Sequence, residues 1–446
     1  MGNGPIIKLR TPLQNIIRYK ILPGKLIEQS LIPTHGLPRW YNRYHWNREE
    51  LFLEGWYHKV VVNDPDTGIP TTFFFLVGIN NPSGKGPPGH AKSFVICGNA
   101  GSNDGTHFNP PGRLFEKYIP VTQQSAFWAD TNTFGIPKGR GMYVYVNTPK
   151  SNSVYAHCNE NLLEGKVIHD KDNWIIWKIL VGKRGGHLFP YPLEKMPSWT
   201  GMNAYYNCAK MWADFTGEIH IKENGNYKKF SFSNARGYQD HNWGEKGFPH
   251  PWIWIAANRF RQGESLSGKI IPEMALVFIW GTPSVVGPDP DVASLKIIRP
   301  NNSIIELKCL PAVTKLGERF LFNVRDTDHY AKTTTVITTG DFGLAHCTGG
   351  VLNPKKRVED KSTSAVLVHM ISPKGDDITF SVVCKDKTLM HLPAPKNAMM
   401  VPCLAAESLQ GILQLRINGK KFISDFSAIE SDLNAPISKI YMNNWF

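Results

Sequence analysis

Runs of alternating, β-branched and aromatic residues recur along the chain, and no stretch carries a long 3.6-residue apolar pattern with caps. A period of two buries one face of a pleated strand but draws no continuous stripe along a helix, so such a chain is confined to sheets. Strands are predicted over Phe73–Val77, Tyr143–Val146, Trp174–Val181, Glu218–Lys222, Lys229–Ser233, Ala275–Trp280, Phe320–Val324, Thr334–Thr339, Ala365–His369, Ile378–Val383 and Ile412–Ile417, with an edge strand at Ile16–Leu22. Clusters of Gly, Pro, Asn and Asp separate them, among them Asn81–Gly89, Gly101–Gly112, Ile136–Gly141 and Gly419-Lys420. Asn224-Gly225, between two strand-like runs, is the strongest hairpin signal, because a type I′ turn needs positive φ at both central positions. Short helical turns are expected only near Leu193–Met196 and Ala405–Leu409. The expected class is all-β, built as sandwiches or barrels with few short helices.

A chain of 446 residues is too long for one typical core, so two domains are expected. Residues 281–291, GTPSVVGPDPD, hold three Pro and two Gly and read as a linker. They divide an N-terminal β domain (1–280) from a C-terminal β-barrel domain (292–446). Seven cysteines without a C-x-x-C pair read as free, mostly buried thiols in a reducing compartment.

The net charge of +13 is uneven. Five of the excess positive charges fall within the first fifty residues, and Lys8, Arg10, Arg18, Lys20 and Lys25 precede any carboxylate. That arm suits peripheral contact with an anionic membrane surface. Its composition also admits an organelle transit peptide, although serine is missing from the first 26 residues. The expected location is cytoplasmic or peripheral to an intracellular membrane. No 18-residue apolar run is found, which argues against an integral membrane protein.

Several chemistries find no support. Gly78–Gly86 has one residue too many between its glycines for a phosphate loop, and Lys85 is followed by Gly86 where a hydroxyl is needed. Fifteen histidines include no H-E-x-x-H and no metal-ligand spacing, so no metal is expected. No G-x-S-x-G elbow occurs, and no nucleic-acid-binding module is recognisable, so no nucleic-acid partner is expected.

Two segments stand out. In Leu53–Val60 (LEGWYHKV), a strand sends Glu54, Trp56 and His58 to one face and Tyr57 and Lys59 to the other. The second runs from Gly237 to Phe260 and contains Gln239-Asp240-His241-Asn242-Trp243-Gly244. After Pro251, alternation puts Trp252, Trp254, Ala256, Asn258 and Phe260 on one face and Ile253, Ile255 and Ala257 on the other. A row of indoles with a carboxamide suits an apolar pocket with a few placed polar groups. An ordinary tryptophan-rich core with turn hydrogen bonds explains the same residues equally well.

Glu54–Val60 (EGWYHKV) and Tyr238–Phe260 (YQDHNWG…GFPHPWIWIAANRF) resemble the tocopherol cyclase family, with its EGWY-type strand and its NWG turn before a W-x-W strand. Wider relatives of that family are carotenoid hydratases and lipocalin-like Diels–Alderases. The likeness extends through Ala275–Trp280 and Ala394–Ile417, while Gln239-Asp240-His241 is closer to the hydratases and Pro82–Gly112 is expanded. The resemblance implies two lipocalin-like β domains, no cofactor, and a hydrophobic prenylated or polyene substrate. It implies an isomerase that protonates a prenyl alkene while a phenol oxygen closes the ring; hydration, cycloaddition and non-catalytic lipid carriage are the alternatives. Alkene protonation needs an acid kept neutral by desolvation, for which Asp240 and Glu54 are the candidates, with His241 as donor or relay. Trp56, Trp243, Trp252 and Trp254 would face the developing cation, with His58 and Asn258 as further substrate contacts.

Overall fold

The computed structural model describes residues 52–81, 92–100, 113–120, 127–128, 143–147, 152–188, 204–244, 252–281, 292–309, 333–339, 346–348, 351–352, 363–372, 374–385, 390–396 and 399–432. The first sheet contains β1 (Leu53–Asn63), β2 (Pro70–Asn80), β3 (Lys92–Ala100), β4 (Arg113–Pro120), β5 (Phe127–Trp128), β6 (Tyr143–Asn147), β7 (Val154–Asn159), β8 (Leu162–Ile168), β9 (Trp174–Gly185), β10 (Ala204–Glu223) and β11 (Asn226–Gly244). Its order is β4-β3-β2-β1-β11-β10-β9-β8-β7-β6-β5, antiparallel throughout. Two meanders therefore meet where β1 pairs with β11, and the two edge strands, β4 and β5, are consecutive in the chain. The ribbon curls so that β2, β3 and β4 lie against β6, β7 and β8.

The second sheet contains β12 (Trp252–Ala257), β13 (Phe260–Gln262), β14 (Ile270–Ile271), β15 (Ala275–Gly281), β16 (Val292–Ile298), β17 (Ile304–Cys309), β18 (Thr333–Thr339), β19 (His346–Thr348), β20 (Val351–Leu352), β21 (Thr363–Ile371), β22 (Asp377–Lys385), β23 (Met390–Lys396), β24 (Met399–Ile417) and β25 (Lys420–Asp432). Its main path runs β17-β16-β15-β12-β25-β24-β22-β21-β18-β19-β20. The all-β expectation holds: the described residues form two large antiparallel sheets, with no helix among them.

Three clusters make up the core. Val60, Phe73, Phe75, Trp177 and Phe215 lie among the residues that fill the inside of the first sheet. Ile255, Phe278, Val368, Phe380 and Leu413 belong to the corresponding core of the second. A third cluster joins Tyr57, Phe74, Trp212 and Tyr238 of the first sheet to Trp254, Val277 and Ala428 of the second. The sheets thus pack face to face through aromatic side chains. Cys97, Cys158 and Cys208 are buried free thiols.

Both of the longest hairpins turn on Asn-Gly. Asn224 and Gly225 have φ of 49° and 83°, and Asn418 and Gly419 have 49° and 79°, as a type I′ turn requires. A Cβ at Gly225 or Gly419 would meet nothing within 4 Å, so only the dihedral resists substitution. Gly225→Ala and Gly419→Ala are each expected to cost about 1 kcal/mol, read as a lower urea midpoint with unchanged slope.

Some expectations need correction. Ala405–Leu409 is not helical but lies within β24, whose pairing with β23 and β25 overrides the helix preference of Ala and Glu. Asn242-Trp243-Gly244 is the end of β11 rather than a turn. Apart from these corrections, the chain passes from the first sheet to the second between Gly244 and Trp252, and β15 and β16, on either side of residues 282–291, pair within the second sheet. Ile16–Leu22, Phe320–Val324, Leu193–Met196 and the basic arm lie outside the described residues.

Candidate active site

The site is built on the β1–β11 seam. Its register pairs Glu54 with Trp243, Trp56 with His241 and His58 with Gln239; the alternate rows pair Tyr57 with Asp240 and Lys59 with Tyr238. Directly opposed residues share a face. The predicted split of β1 into two faces is what the structure shows, and it has a consequence for β11. Asp240 and His241, adjacent in sequence, point to opposite sides of the sheet.

On the inner face, His241 Nε2 lies 2.8 Å from Glu54 Oε1, and both side chains are fully buried. Trp56 stacks on the imidazole with ring centroids 4.6 Å apart and planes 14° apart. Trp243 covers it at 4.7 Å. A carboxylate–imidazole pair therefore sits between two indoles, out of water. Beside it, Asn207 on β10 is opposite His241, and Lys210 is opposite Gln239. Lys210 hydrogen-bonds Gln239 and forms a 3.1 Å ion pair with Glu160. The buried Asn207 Oδ1 has no hydrogen-bond partner. Neither Asn207 nor Lys210 stands out in the sequence, because two bulges in β10 break the period-two pattern there.

His58 lies one row deeper on this face. Burial, followed by the positive charge of Lys210, lowers its pKa to about 3. In the unfolded chain a histidine titrates near 6.5. The native state therefore holds His58 neutral while the unfolded state gains a proton, and stability is lost as pH falls from about 6.5 towards 3. Thermal unfolding is expected to show that loss, and His58→Phe to flatten it. An unchanged acid slope in the variant would contradict this.

On the outer face, Tyr238 OH donates to Asp240 Oδ2 at 3.0 Å and Asn242 Nδ2 to Oδ1 at 3.3 Å. Burial first, and then the charge of Glu430, raise the Asp240 carboxyl well above the ordinary range. Trp254 stacks on Tyr238 at 5.2 Å and donates its Nε1–H to Tyr206 OH at 2.6 Å. Asn258 Nδ2 donates to the Gly237 carbonyl at 2.9 Å, and Lys59 Nζ to the Phe426 carbonyl at 3.5 Å. These last two bonds tie the sheets together.

The structure thus brings Glu54, Trp56, His58, His241 and Trp243 together inside the first sheet. It places Asp240, Trp254 and Asn258 between the sheets. Trp252 begins β12, and its side chain is outside the described set. The predicted alternation ends after Ala257: Phe260 opens β13 and joins the second core with Ile253 and Ile255 instead of facing with Trp254.

No family model matches the chain, and no curated protein matches it either. Among solved structures, similarity is found to an AttH from Nitrosomonas europaea at 12% identity, covering 90% of this chain and 98% of that one, with a TM-score of 0.44. CghA in complex with Sch210972 aligns at 12% identity over 86% of this chain and 89% of its own, with a TM-score of 0.42. Kievitone hydratase from Nectria haematococca aligns at 8% identity over the same shares, 86% and 89%, with a TM-score of 0.41. None of these three reaches a TM-score of 0.5, so an assignment of chemistry rests on the residues of this chain.

Proposed function

We propose that the protein is a cofactor-independent cyclase, an isomerase that closes a ring in a hydrophobic prenylated phenol, quinol or polyene by protonating an alkene. The observation that carries this reading is the Glu54–His241 pair, 2.8 Å apart and fully buried between Trp56 and Trp243. An ion pair out of water is a poor source of stability, and one flanked by π faces has a use beyond packing. Glu54 holds His241 as an imidazolium that can give its proton to an alkene carbon. The resulting carbocation develops beside the same indoles, each worth ~0.5–2 kcal/mol to a nearby cation. Exclusion of water strengthens each of these interactions and protects the cation from capture.

Two buried acids stand on opposite faces of β11, and this reading gives the chemistry to the inner one. Asp240, satisfied by Tyr238 and Asn242, serves the packing between the sheets. Substrates of this kind reside in membranes, and the basic N-terminal arm would bring the protein to an anionic surface. Liposome binding that is lost at high salt is the expected sign of that contact.

The test of the cyclase reading is incubation of a prenylated hydroquinone with the protein in D2O. Alkene protonation predicts a cyclic product of unchanged skeleton carrying one carbon-bound deuterium. A cycloaddition would give a cyclic product without deuterium, and recovery of unchanged substrate would mark a carrier. Either result would overturn the proposal.

A further inference from the structure

We propose that His58 is the base of the same site, taking up the proton that the nucleophilic hydroxyl releases as the ring closes. The inference rests on the cyclase reading above. His58 shares the inner face of β1 with Glu54 and Trp56, and it lies diagonally across the seam from His241, which is opposite Trp56. Side chains in such diagonal positions are about 7–8 Å apart at their backbones, within reach of two ends of one small reacting group. The side chain is 1% exposed, and neither ring nitrogen makes a hydrogen bond. The Phe75 backbone, opposite it on β2, is a polar group that bears on the ring. A buried imidazole left unsatisfied is costly and calls for a ligand or a reaction that uses it.

The proton inventory closes without any co-reactant. An N–H bond of the His241 imidazolium breaks as a C–H bond forms on the alkene. The hydroxyl oxygen then bonds the cationic carbon, and its O–H bond breaks with the proton passing to a His58 ring nitrogen. The substrate becomes its isomer; one histidine has lost a proton, the other has gained one, and both exchange with solvent before the next turnover. Burial and the Lys210 charge keep His58 unprotonated at neutral pH, ready to accept. Weak basicity suffices, because an oxygen that has just bonded a carbocation is a far stronger acid than any phenol.

The experiment compares wild type with His58→Gln, which keeps a polar side chain of similar reach, and with His58→Phe, which fills the space. The probe is a prenylated hydroquinone in D2O, with folding followed by circular dichroism. His58→Gln is expected to lower kcat at least 100-fold with KM little changed. It is also expected to accumulate deuterium in recovered, uncyclised substrate, since protonated alkene that cannot complete the ring returns its proton. A merely structural role would slow both processes together. His58→Gln cyclising at the wild-type rate, or losing turnover without deuterium in the recovered substrate, would overturn the assignment. Loss of fold in His58→Phe alone would not alter either readout in His58→Gln. A wild-type protein that leaves the probe unchanged and unlabelled would overturn the cyclase reading itself.

Discussion

Turnover by His241→Gln is expected to fall about 10²–10⁴-fold, the usual range for loss of a general acid. Glutamine can still reach Glu54 but carries no transferable proton, so the loss should lie in kcat. Glu54→Gln is expected to fall nearly as far, because an imidazole without its carboxylate is a poorer reservoir for a proton in a dry site. The two act as one unit, joined by the 2.8 Å contact, so the double variant should be scarcely worse than either single one. Stability provides a separate readout. Removing His241 leaves the Glu54 carboxylate buried and uncompensated, a loss on the order of 3–5 kcal/mol, whereas replacing both partners by neutral groups should restore part of it. Steady-state kinetics at low temperature, with urea unfolding of each variant, separates the two effects. Wild-type kcat in both single variants would remove the pair from the chemistry.

Gly237→Ala should be a strongly damaging small substitution in the first sheet. A Cβ there would lie 2.0 Å from the Lys59 carbonyl oxygen and 2.5 Å from the Phe215 ring. The oxygen belongs to the neighbouring strand and cannot retreat without opening the β1–β11 ladder, where Val60 is opposite Gly237. The Gly237 carbonyl also receives the Asn258 bond that ties the sheets. The expected loss is about 3 kcal/mol or more, set by overpacking against backbone, compared with about 1 kcal/mol at the unhindered turn glycines. Calorimetry should show a fall in melting temperature of roughly 10 °C. The seam that aligns Glu54 with His241 should loosen at the same time, so activity is expected to fall along with stability. A variant as stable as wild type would mean that β1 and β11 do not approach this closely.

Much of this architecture is legible in the sequence, and the exceptions have physical causes. Alternation marks every predicted strand that falls within the described residues, and it sorts Glu54, Trp56 and His58 from Tyr57 and Lys59 correctly. Asn224-Gly225 announces its hairpin because few other dipeptides tolerate its dihedrals. The same alternation applied to Asp240-His241 would have separated them, but glycines and a resemblance to a turn hid the strand that carries both. Asn207 and Lys210 escape notice because the register slips between Asn207 and Lys210 and again between Lys210 and Ala213. A bulge is a property of two paired strands and leaves little trace in one. The Pro/Gly run at 281–291 signals a connection between elements, but composition does not say whether those elements share a sheet. The finer site, with the His58 ring nitrogens and Asn207 Oδ1 as buried polar atoms, depends on cross-strand register that the chain order does not display.

The meeting of β1 with β11 also bears on how the molecule is made. Glu54 and His241 are 187 residues apart, and their strands pair only after β2 through β10 have been synthesised between them. Every other neighbouring pair in the first sheet joins strands consecutive in the chain, so those ladders close short loops quickly, whereas this one must close a long loop at a larger entropic cost. The seam is therefore placed to be the last joint of the sheet to form during synthesis. The Trp56–His241 stack would then report completion of the sheet, and a nascent chain released before His241 would hold one half of the acid pair without the other.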